Sequence, residues 1–224
     1  MPFKYTSDMS VEDAQKLADN LGINHSVIPI GDIYASFYKE LSHEFKGQDP
    51  DITEENLQSR CRGVLLMALS NKSGRLVLTT GNKSETAVGY STLYGDTAGG
   101  FGVLKDVPKI LVYKLSRYRN SLSEAIPERI IERPPSAELA PDQQDSDSLP
   151  DYDVLDKIID LYVEQDKSNT ENVLDGIEES VVKRVIRLID ISEYKRRQAP
   201  LGVKITSRGF GKDRRYPITN RYSQ

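Results

Sequence analysis

The spacing of apolar residues in the first part of the chain switches between helical and extended patterns. After Ser10, whose hydroxyl is placed to cap a helix, apolar residues three or four apart predict a helix that ends at Gly22. The short apolar run 26–30 then predicts a strand, and apolar residues four apart from Asp32 onward predict a second helix. Each change of spacing therefore marks a new element.

A third helix and a second strand follow. A polar loop over 46–52 leads to Thr53, which is placed to cap the third helix, and the run 75–80 predicts a strand. Helices that alternate with strands are typical of sheets whose strands run parallel. The sequence therefore predicts an α/β fold with a mostly parallel sheet.

The middle of the chain is less regular. Glycine is concentrated over 81–102, a long stretch that directly follows the predicted strand. Pro108 stands at the expected start of the next helix, a position that needs no backbone amide hydrogen. From 134 to 153 the composition turns to Pro, Ser, Asp and Gln, which predicts a loop that acts as a mobile lid.

Two predicted helices, over 152–164 and 177–194, precede a basic tail over 195–221. The tail holds nine Lys or Arg residues and is predicted to cross the surface as an extended arm. The predicted organisation is an α/β core over 1–133, a lid-like loop over 134–153, and C-terminal helices with the basic tail over 154–224.

Composition excludes several classes of protein. The chain has 224 residues, with 30 basic and 34 acidic side chains and a formal net charge of −4. That balance argues against a nucleic acid partner, which needs a clear basic surplus. One cysteine, Cys61, and two histidines, His25 and His43, exclude disulfide scaffolds, zinc ribbons and histidine-rich metal sites. No apolar run approaches the roughly 20 residues of a membrane span and 1–10 holds no signal-peptide core, so a cytoplasmic protein without a membrane partner is predicted.

The segment 78–87 carries candidate chemistry at the carboxyl end of a predicted strand, where open α/β sheets bind ligands. Thr80 offers a hydroxyl, Gly81 allows close backbone approach, and Glu85 is a hard oxygen ligand for a divalent cation. The structural alternative is a Gly-Asn turn in which Ser84 caps the next helix, and spacing alone favours it.

The next segment, 89–101, combines glycine, small hydroxyls and one acid, a composition suited to wrapping a polar ligand. A surface loop is the alternative, although its aromatic residues favour packing. Arg60 and Arg62, which flank Cys61, are expected to be solvated charges. The sequence holds no Walker motif and no GxGxxG motif.

Several separate segments, taken together, resemble one enzyme family. They are similar in sequence and order to motifs of the ammonia-ligase domain of NAD synthetases. The C-terminal segment, 209–221, looks like that of the glutamine-dependent members of the family. The matching segments are 55–60, 80–85, 90–96, 106–109, 133–139, 193–200 and 209–221. The resemblance covers essentially the whole chain and implies a Rossmann-like sheet of the adenine-nucleotide α-hydrolase type, with helices on both faces.

In that family ATP adenylates the carboxylate of nicotinic acid adenine dinucleotide (deamido-NAD), and ammonia then displaces AMP to give NAD. The resemblance implies that Mg²⁺ accompanies ATP, with Glu85 as its protein ligand. The implied ATP-binding residues are Thr80, Glu85, Lys109 and Ser136. The implied deamido-NAD-binding residues are Asn56, Arg60, Glu85, Asp96, Tyr194 and Lys195. Leu93 stands where the short family members carry a lysine that touches the dinucleotide.

Two parts of the family's machinery do not occur in this sequence. A Ser-Gly-Gly-x-Asp-Ser pyrophosphate loop on a first strand is expected upstream of Met1, and a glutaminase domain that supplies ammonia is expected further upstream. The resemblance thus implies an incomplete synthetase, inactive alone, from an enzyme that forms a homodimer or higher oligomer. The alternative is a non-catalytic nucleotide-binding or interaction module completed by another chain. A tRNA- or GMP-modifying amide synthetase is a third possibility, which the dinucleotide-recognition segments 90–96 and 194–195 disfavour.

Overall fold

The computed structural model describes residues 1–174 and 176–219, which form helices around a small parallel sheet. The helices are α1 (Asp8–Leu21), α2 (Gly31–Leu41), α3 (Ile52–Ser73), α4 (Lys83–Val88), α5 (Lys109–Leu122), α6 (Glu128–Glu132), α7 (Tyr152–Ile159), α8 (Asn169–Leu174), α9 (Glu179–Ile191) and α10 (Glu193–Arg196). A 3-10 turn spans Asp145–Asp147, and a π-helical turn over Asp160–Glu164 continues α7. None of the helices in these described ranges is both long and apolar enough to cross a membrane.

The sheet joins three short parallel strands, β1 (Leu78–Thr79), β2 (Phe101–Gly102) and β3 (Leu201–Gly202), in that order. Leu78 pairs with Phe101, which pairs in turn with Leu201. The prediction of a mixed α/β fold with a parallel sheet is therefore confirmed. The third strand comes from the predicted basic tail, so part of that tail belongs to the sheet.

The main hydrophobic core lies between α4, α7, α9 and the C-terminal segment. Leu155, Ile158, Val182 and Ile189 are completely buried there, and Tyr216 closes one end. Burying an aliphatic side chain of this size stabilises a fold by about 1.5–3 kcal/mol. This packing fixes α4, the helix that follows β1.

Two helices begin at caps other than the predicted ones. Ser7, not Ser10, caps α1, and its hydroxyl accepts the amide hydrogen of Ser10. Asp51, not Thr53, caps α3 in a reciprocal capping box with Glu54. An acidic residue at the cap also favours the positive end of the helix dipole, which explains why Asp51 takes the position.

The strand predicted over 26–30 is wrong, because these residues lie in an irregular segment. The Ile30 amide donates to the Pro2 carbonyl at 3.1 Å, yet no ladder forms beside it. The strand predicted over 75–80 shortens to β1. The predicted helix over 177–194 breaks at Ser192, which separates α9 from α10.

The predicted loop over 134–153 is irregular apart from its 3-10 turn, and its last two residues begin α7. Asn220 and Arg221, which end the last matching segment and the predicted tail, lie outside the described residues.

Candidate active site

A cleft lies at the carboxyl end of β1 and consists of two adjoining cavities that share Glu85, Tyr90 and Asp96. The first encloses about 630 Å³ between β1, α4 and the α10 region, open solvent included. The second encloses about 1470 Å³, also with open solvent, between α1, α5, α6 and the loop that follows α6. This is the edge of the sheet where parallel α/β folds bind ligands.

The cleft brings together most of the residues implied by the family resemblance. Thr80, Glu85, Asp96 and Lys195 line the first cavity. Glu85, Asp96, Lys109 and Ser136 line the second. Asn56, Arg60 and Tyr194 lie outside these two cavities. The implied ATP residues and part of the implied dinucleotide set therefore share one surface.

Glu85 holds the start of α4 and also faces the cleft. Its amide donates to Asn82 Oδ1 at 3.0 Å, while its Oε2 accepts the Asn82 amide hydrogen at 3.3 Å. The cap is therefore Asn82, and the expectation that Ser84 caps this helix is wrong. The other carboxylate oxygen, Oε1, lies 3.0 Å from the ammonium of Lys109. Glu85 thus has the structural role and also lies at the cleft, and its role as a ligand-binding residue stays a prediction.

Lys109 is fixed at the first position of α5, as predicted from Pro108. Its amide donates to Ser84 Oγ at 2.8 Å, and the next amide, of Ile110, donates to Asp156 Oδ2 at 3.0 Å. Burial is the main reason that the pKa of Asp156 is raised. The Lys109 ammonium also lies 4.9 Å from the ring centre of Tyr152, within the range of a cation–π contact.

The loop 92–97, which carries Asp96, is fastened to α3. Asp96 Oδ1 accepts the Thr92 amide hydrogen at 2.7 Å, and the Thr92 hydroxyl donates to Asn56 Oδ1 at 2.8 Å. Arg60 Nε donates to the Leu93 carbonyl at 3.2 Å. Asn56 and Arg60 therefore bind the loop from α3 and do not line the cavities. Their implied contact with deamido-NAD stays a prediction. Arg60 is exposed, as expected of a solvated charge, although its Nε also bonds to a backbone carbonyl.

The pKa of Asp96 is raised, although the residue as a whole is exposed at the cleft. Loss of solvent around its carboxyl group raises its pKa, and the charge of Glu85 acts in the same direction. Hydrogen bonds from the loop backbone and the Lys195 charge oppose this rise. The carboxyl is thus surrounded by protein on the side that faces the loop.

Gly95 is required by the close packing of this loop on α3. A methyl group at Gly95 would lie 2.8 Å from Ser59 Cβ, closer than carbon atoms pack. Ser59 cannot easily move, because its hydroxyl accepts the Asp96 amide hydrogen at 3.0 Å.

We expect Gly95→Ala to destabilise the protein by about 1–3 kcal/mol, as overpacking does in tight sites, and to displace Asp96. Thermal unfolding measures the first effect, and the affinity for deamido-NAD measures the second. Gly31→Ala is the matched control, since a methyl group there meets nothing within 4 Å. Equal stability of the two variants would contradict the packing argument.

Lys195 reaches the cleft from α10. Its ammonium donates to the carbonyls of Gly89 and Ser91, each at 2.7 Å. Burial lowers the pKa of Lys195, and the charge of Asp96 opposes that shift. The neighbouring Tyr194 is exposed and does not line the cavity. Its implied contact with the dinucleotide therefore stays a prediction.

Ser136 lines the second cavity, but its hydroxyl is engaged within its own loop. It donates to the Gln143 carbonyl and accepts the Glu138 amide hydrogen at 3.1 Å. A contact between this hydroxyl and ATP stays a prediction, and donation to a phosphate oxygen needs the bond to the Gln143 carbonyl to open.

Sequence reasoning missed Lys83, which is 1% exposed and lies at the start of α4. Its ammonium contacts Asp106 at 2.9 Å, Glu164 and the Thr206 hydroxyl. Lysine is almost never fully buried unless paired, and these partners are far away in sequence. No local pattern could have identified them.

Glu85 is the residue at this cleft that the family resemblance implies as a ligand of a metal ion. Among residues 1–174 and 176–219, no group of three or more His, Cys, Asp or Glu side chains is placed to hold a metal ion. A single carboxylate suits Mg²⁺, which proteins usually hold through one or two carboxylates together with substrate phosphates and water. The donor set therefore fits a Mg²⁺ ion that arrives with a nucleotide.

Comparison with known proteins identifies the family. The NAD synthase family model matches residues 1–199. The glutamine-dependent NAD(+) synthetase of Acinetobacter baylyi is 56% identical over 222 residues, 98% of this chain and 41% of that protein. The solved structure of glutamine-dependent NAD+ synthetase from Acinetobacter baumannii, in complex with ADP, is 52% identical with a TM-score of 0.59, over 98% of this chain and 40% of that one.

A glutamine-dependent NAD(+) synthetase from Cytophaga hutchinsonii is 24% identical, with a TM-score of 0.79 over 97% of this chain and 38% of that one. At that identity it supports the fold alone. The chain spans about two-fifths of the length of the curated relatives it matches. Because the family model covers most of the sequence, this chain belongs to the NAD synthase family.

Proposed function

We propose that this chain is the synthetase region of a glutamine-dependent NAD synthetase, which converts deamido-NAD to NAD with ATP and ammonia. The observation that carries the proposal is the meeting of the Glu85–Lys109 pair, 3.0 Å apart, with Asp96 and Lys195 in one cleft. The relatives with this name support the same assignment. Assembly into a homodimer or higher oligomer and a cytoplasmic location stay predictions.

The first half of the reaction places the carboxylate of deamido-NAD against the α-phosphorus of ATP. A new carboxyl–phosphate bond forms, and pyrophosphate leaves with the electrons of the broken bond. Lys109 is the proposed contact of the phosphates, where its charge would offset their growing negative charge. Thr80, at the end of β1, offers a hydroxyl on the same surface.

Glu85 is the residue that would hold Mg²⁺ when ATP is bound. The ion would offset phosphate charge during the transfer. Lys109 would then exchange its contact with Glu85 for a contact with phosphate. With both ligands bound, Glu85 would face a cation and Lys109 would face a phosphate, so each would have a partner of opposite charge.

The second half of the reaction requires ammonia and the adenylated dinucleotide. Ammonia attacks the carbonyl carbon, the bond to AMP breaks, and a proton is lost to give the amide. Asp96 and Lys195 line the first cavity and are the proposed contacts of the dinucleotide. In a glutamine-dependent enzyme, the ammonia comes from glutamine that a glutaminase domain hydrolyses. We propose such a domain as the partner of this chain.

We expect the purified chain to bind Mg-ATP and deamido-NAD in separate calorimetric titrations, yet to make NAD very slowly. The sequence holds no Ser-Gly-Gly-x-Asp-Ser loop, and one preorganised donor at developing charge is worth about 10²–10³ in rate. NAD formation from ATP, ammonia and deamido-NAD measures the rate against that of a full-length relative.

Two results would contradict this expectation in different ways. Binding of neither ligand would remove the proposed synthetase role and favour an interaction module. A rate equal to that of the full-length relative would show that the phosphate loop is dispensable.

A further inference from the structure

Asp145, in the loop between α6 and α7, accepts hydrogen bonds from two tyrosines. It is 5% exposed and begins the 3-10 turn. The Tyr90 hydroxyl donates to its Oδ1 at 3.1 Å, and the Tyr152 hydroxyl donates to its Oδ2 at 2.7 Å. One buried carboxylate therefore joins three separate segments of the chain.

Tyr90 lines the cleft itself, whereas Tyr152 lies behind it and contacts Lys109. Tyr90 lines both cavities and directly follows Gly89, whose carbonyl binds Lys195. Tyr152 begins α7, and its ring lies beneath the ammonium of Lys109. The hydroxyl of each tyrosine thus donates to Asp145, and the ring of Tyr152 also contacts Lys109.

Asp145 also fixes the loop to which it belongs. Its amide donates to the Pro135 carbonyl at 3.0 Å, next to Ser136, and its carbonyl accepts from Leu149, a buried residue of the loop. Movement of Asp145 would therefore move both ends of the loop. Burial, together with the Asp145 charge, raises the pKa of both Tyr90 and Tyr152, so both hydroxyls keep their protons at neutral pH.

We propose that Asp145, Tyr90 and Tyr152 form a positioning clamp that holds the loop after α6 in place for the ligands at Lys109 and Lys195. The proposal rests on the function proposed above. The three residues act through Lys109, through the Gly89–Ser91 backbone and through the loop, since their hydrogen bonds are made to one another. Loss of either tyrosine hydroxyl leaves one carboxylate oxygen of Asp145 without its partner. The remaining tyrosine then holds the carboxylate by a single hydrogen bond.

The chain contains a matched control for this arrangement. Tyr162, in the π-helical turn, donates to Asp190 Oδ1 at 2.9 Å, and burial likewise raises its pKa. Tyr162 is 6% exposed, belongs to the main core and lines neither cavity of the cleft. Tyr162→Phe therefore removes a similar hydrogen bond without touching the clamp.

The experiment compares Tyr90→Phe, Tyr152→Phe, the double variant and Tyr162→Phe in calorimetric titrations with Mg-ATP and with deamido-NAD. A hydrogen bond to a charged group commonly changes an equilibrium by about tenfold or more. We expect Tyr152→Phe to raise the Kd for Mg-ATP about tenfold, and Tyr90→Phe to raise the Kd for deamido-NAD about tenfold. Since both tyrosines share Asp145, each substitution should also weaken binding of the other ligand, and for each ligand the double variant should lose less than the product of the two single losses.

Limited proteolysis with a protease of broad specificity tests the clamp without any ligand. We expect Tyr152→Phe to speed cleavage within 134–151 several-fold relative to Tyr162→Phe. If the unaltered chain binds neither ligand, the proposed function fails while this comparison still decides the clamp. Unchanged affinities in all variants, or equal cleavage of the loop in Tyr152→Phe and Tyr162→Phe, would overturn the proposal.

Discussion

Glu85→Gln is expected to abolish adenylation in a protein that carries this sequence at the full length of its relatives. The substitution keeps the shape of the side chain and its bond to the Asn82 amide, but removes the charge that faces Lys109 and that would hold Mg²⁺ under the proposed function. Loss of a preorganised charge at a phosphoryl-transfer site reduces the rate by about a thousandfold or more. Exchange of labelled pyrophosphate into ATP, dependent on deamido-NAD, measures this step.

Folding should change little, because the capping bond survives and one partly exposed ion pair is lost. We expect the free energy of unfolding to fall by about 1 kcal/mol. Glu12→Gln is the control, since Glu12 pairs with Arg129 at 3.0 Å outside the cleft. Near-normal exchange by Glu85→Gln at low Mg²⁺ would refute the metal role and leave only the capping role.

Lys83→Met is expected to have the largest effect on stability. The ammonium is buried between Asp106 and Glu164, so its removal leaves two buried carboxylates without their cation. Breaking a buried pair on one side costs about 3–5 kcal/mol. Denaturant unfolding measures the loss. Lys183→Met, which removes a surface pair with Glu179, is the control and should cost about 1 kcal/mol or less.

The pH dependence of this loss has a defined sign. Burial alone would raise the pKa of Asp106, but bonds from the Thr206 and Ile205 amides and from Lys83 outweigh it, and its pKa is lowered. Burial also opposes the shift at Glu164, whose pKa is lowered by its bonds to Lys83 and Ser207. The stability from these shifts is present above the ordinary values of 3.8 and 4.5 and is lost as the pH falls through the lowered values.

In Lys83→Met burial is no longer balanced by a cation, so these carboxylates bind protons at higher pH. The difference in unfolding free energy between the two proteins should therefore be largest near pH 7 and shrink as the pH falls towards about 4. A difference that stays constant over this range would contradict the buried-charge explanation.

The longer helices were predictable because the spacing of their apolar residues and their C-terminal glycines are local signals, although the N-terminal caps of α1 and α3 lie two or three residues away from the predicted ones. Gly22 and Gly74 end α1 and α3 in the left-handed conformation that glycine adopts without strain. Of the three strands only β1 was predicted, because a strand forms only where a neighbouring strand pairs with it. The run 26–30 has the composition of a strand, yet its one bond to Pro2 starts no ladder, whereas the unremarkable Leu201 and Gly202 pair with β2.

The site was predictable from motifs where a side chain faces the cleft directly. Glu85, Lys109, Asp96 and Lys195 lie together there, as the family resemblance implied. The supporting contacts were not predictable, since they join positions far apart. Asp145, for example, lies in a loop whose composition indicated mobility, while its partners begin other segments.

The Glu85–Lys109 ion pair has a thermodynamic consequence under the proposed function. Each member must give up the other before it binds a ligand of its own: a cation for Glu85, a phosphate for Lys109. Either ligand alone would leave the abandoned charge half-buried and unpaired, at a cost that the two ligands together avoid. Mg²⁺ and nucleotide should therefore promote each other's binding by the same factor, so that the site responds to their complex and discriminates against each in isolation.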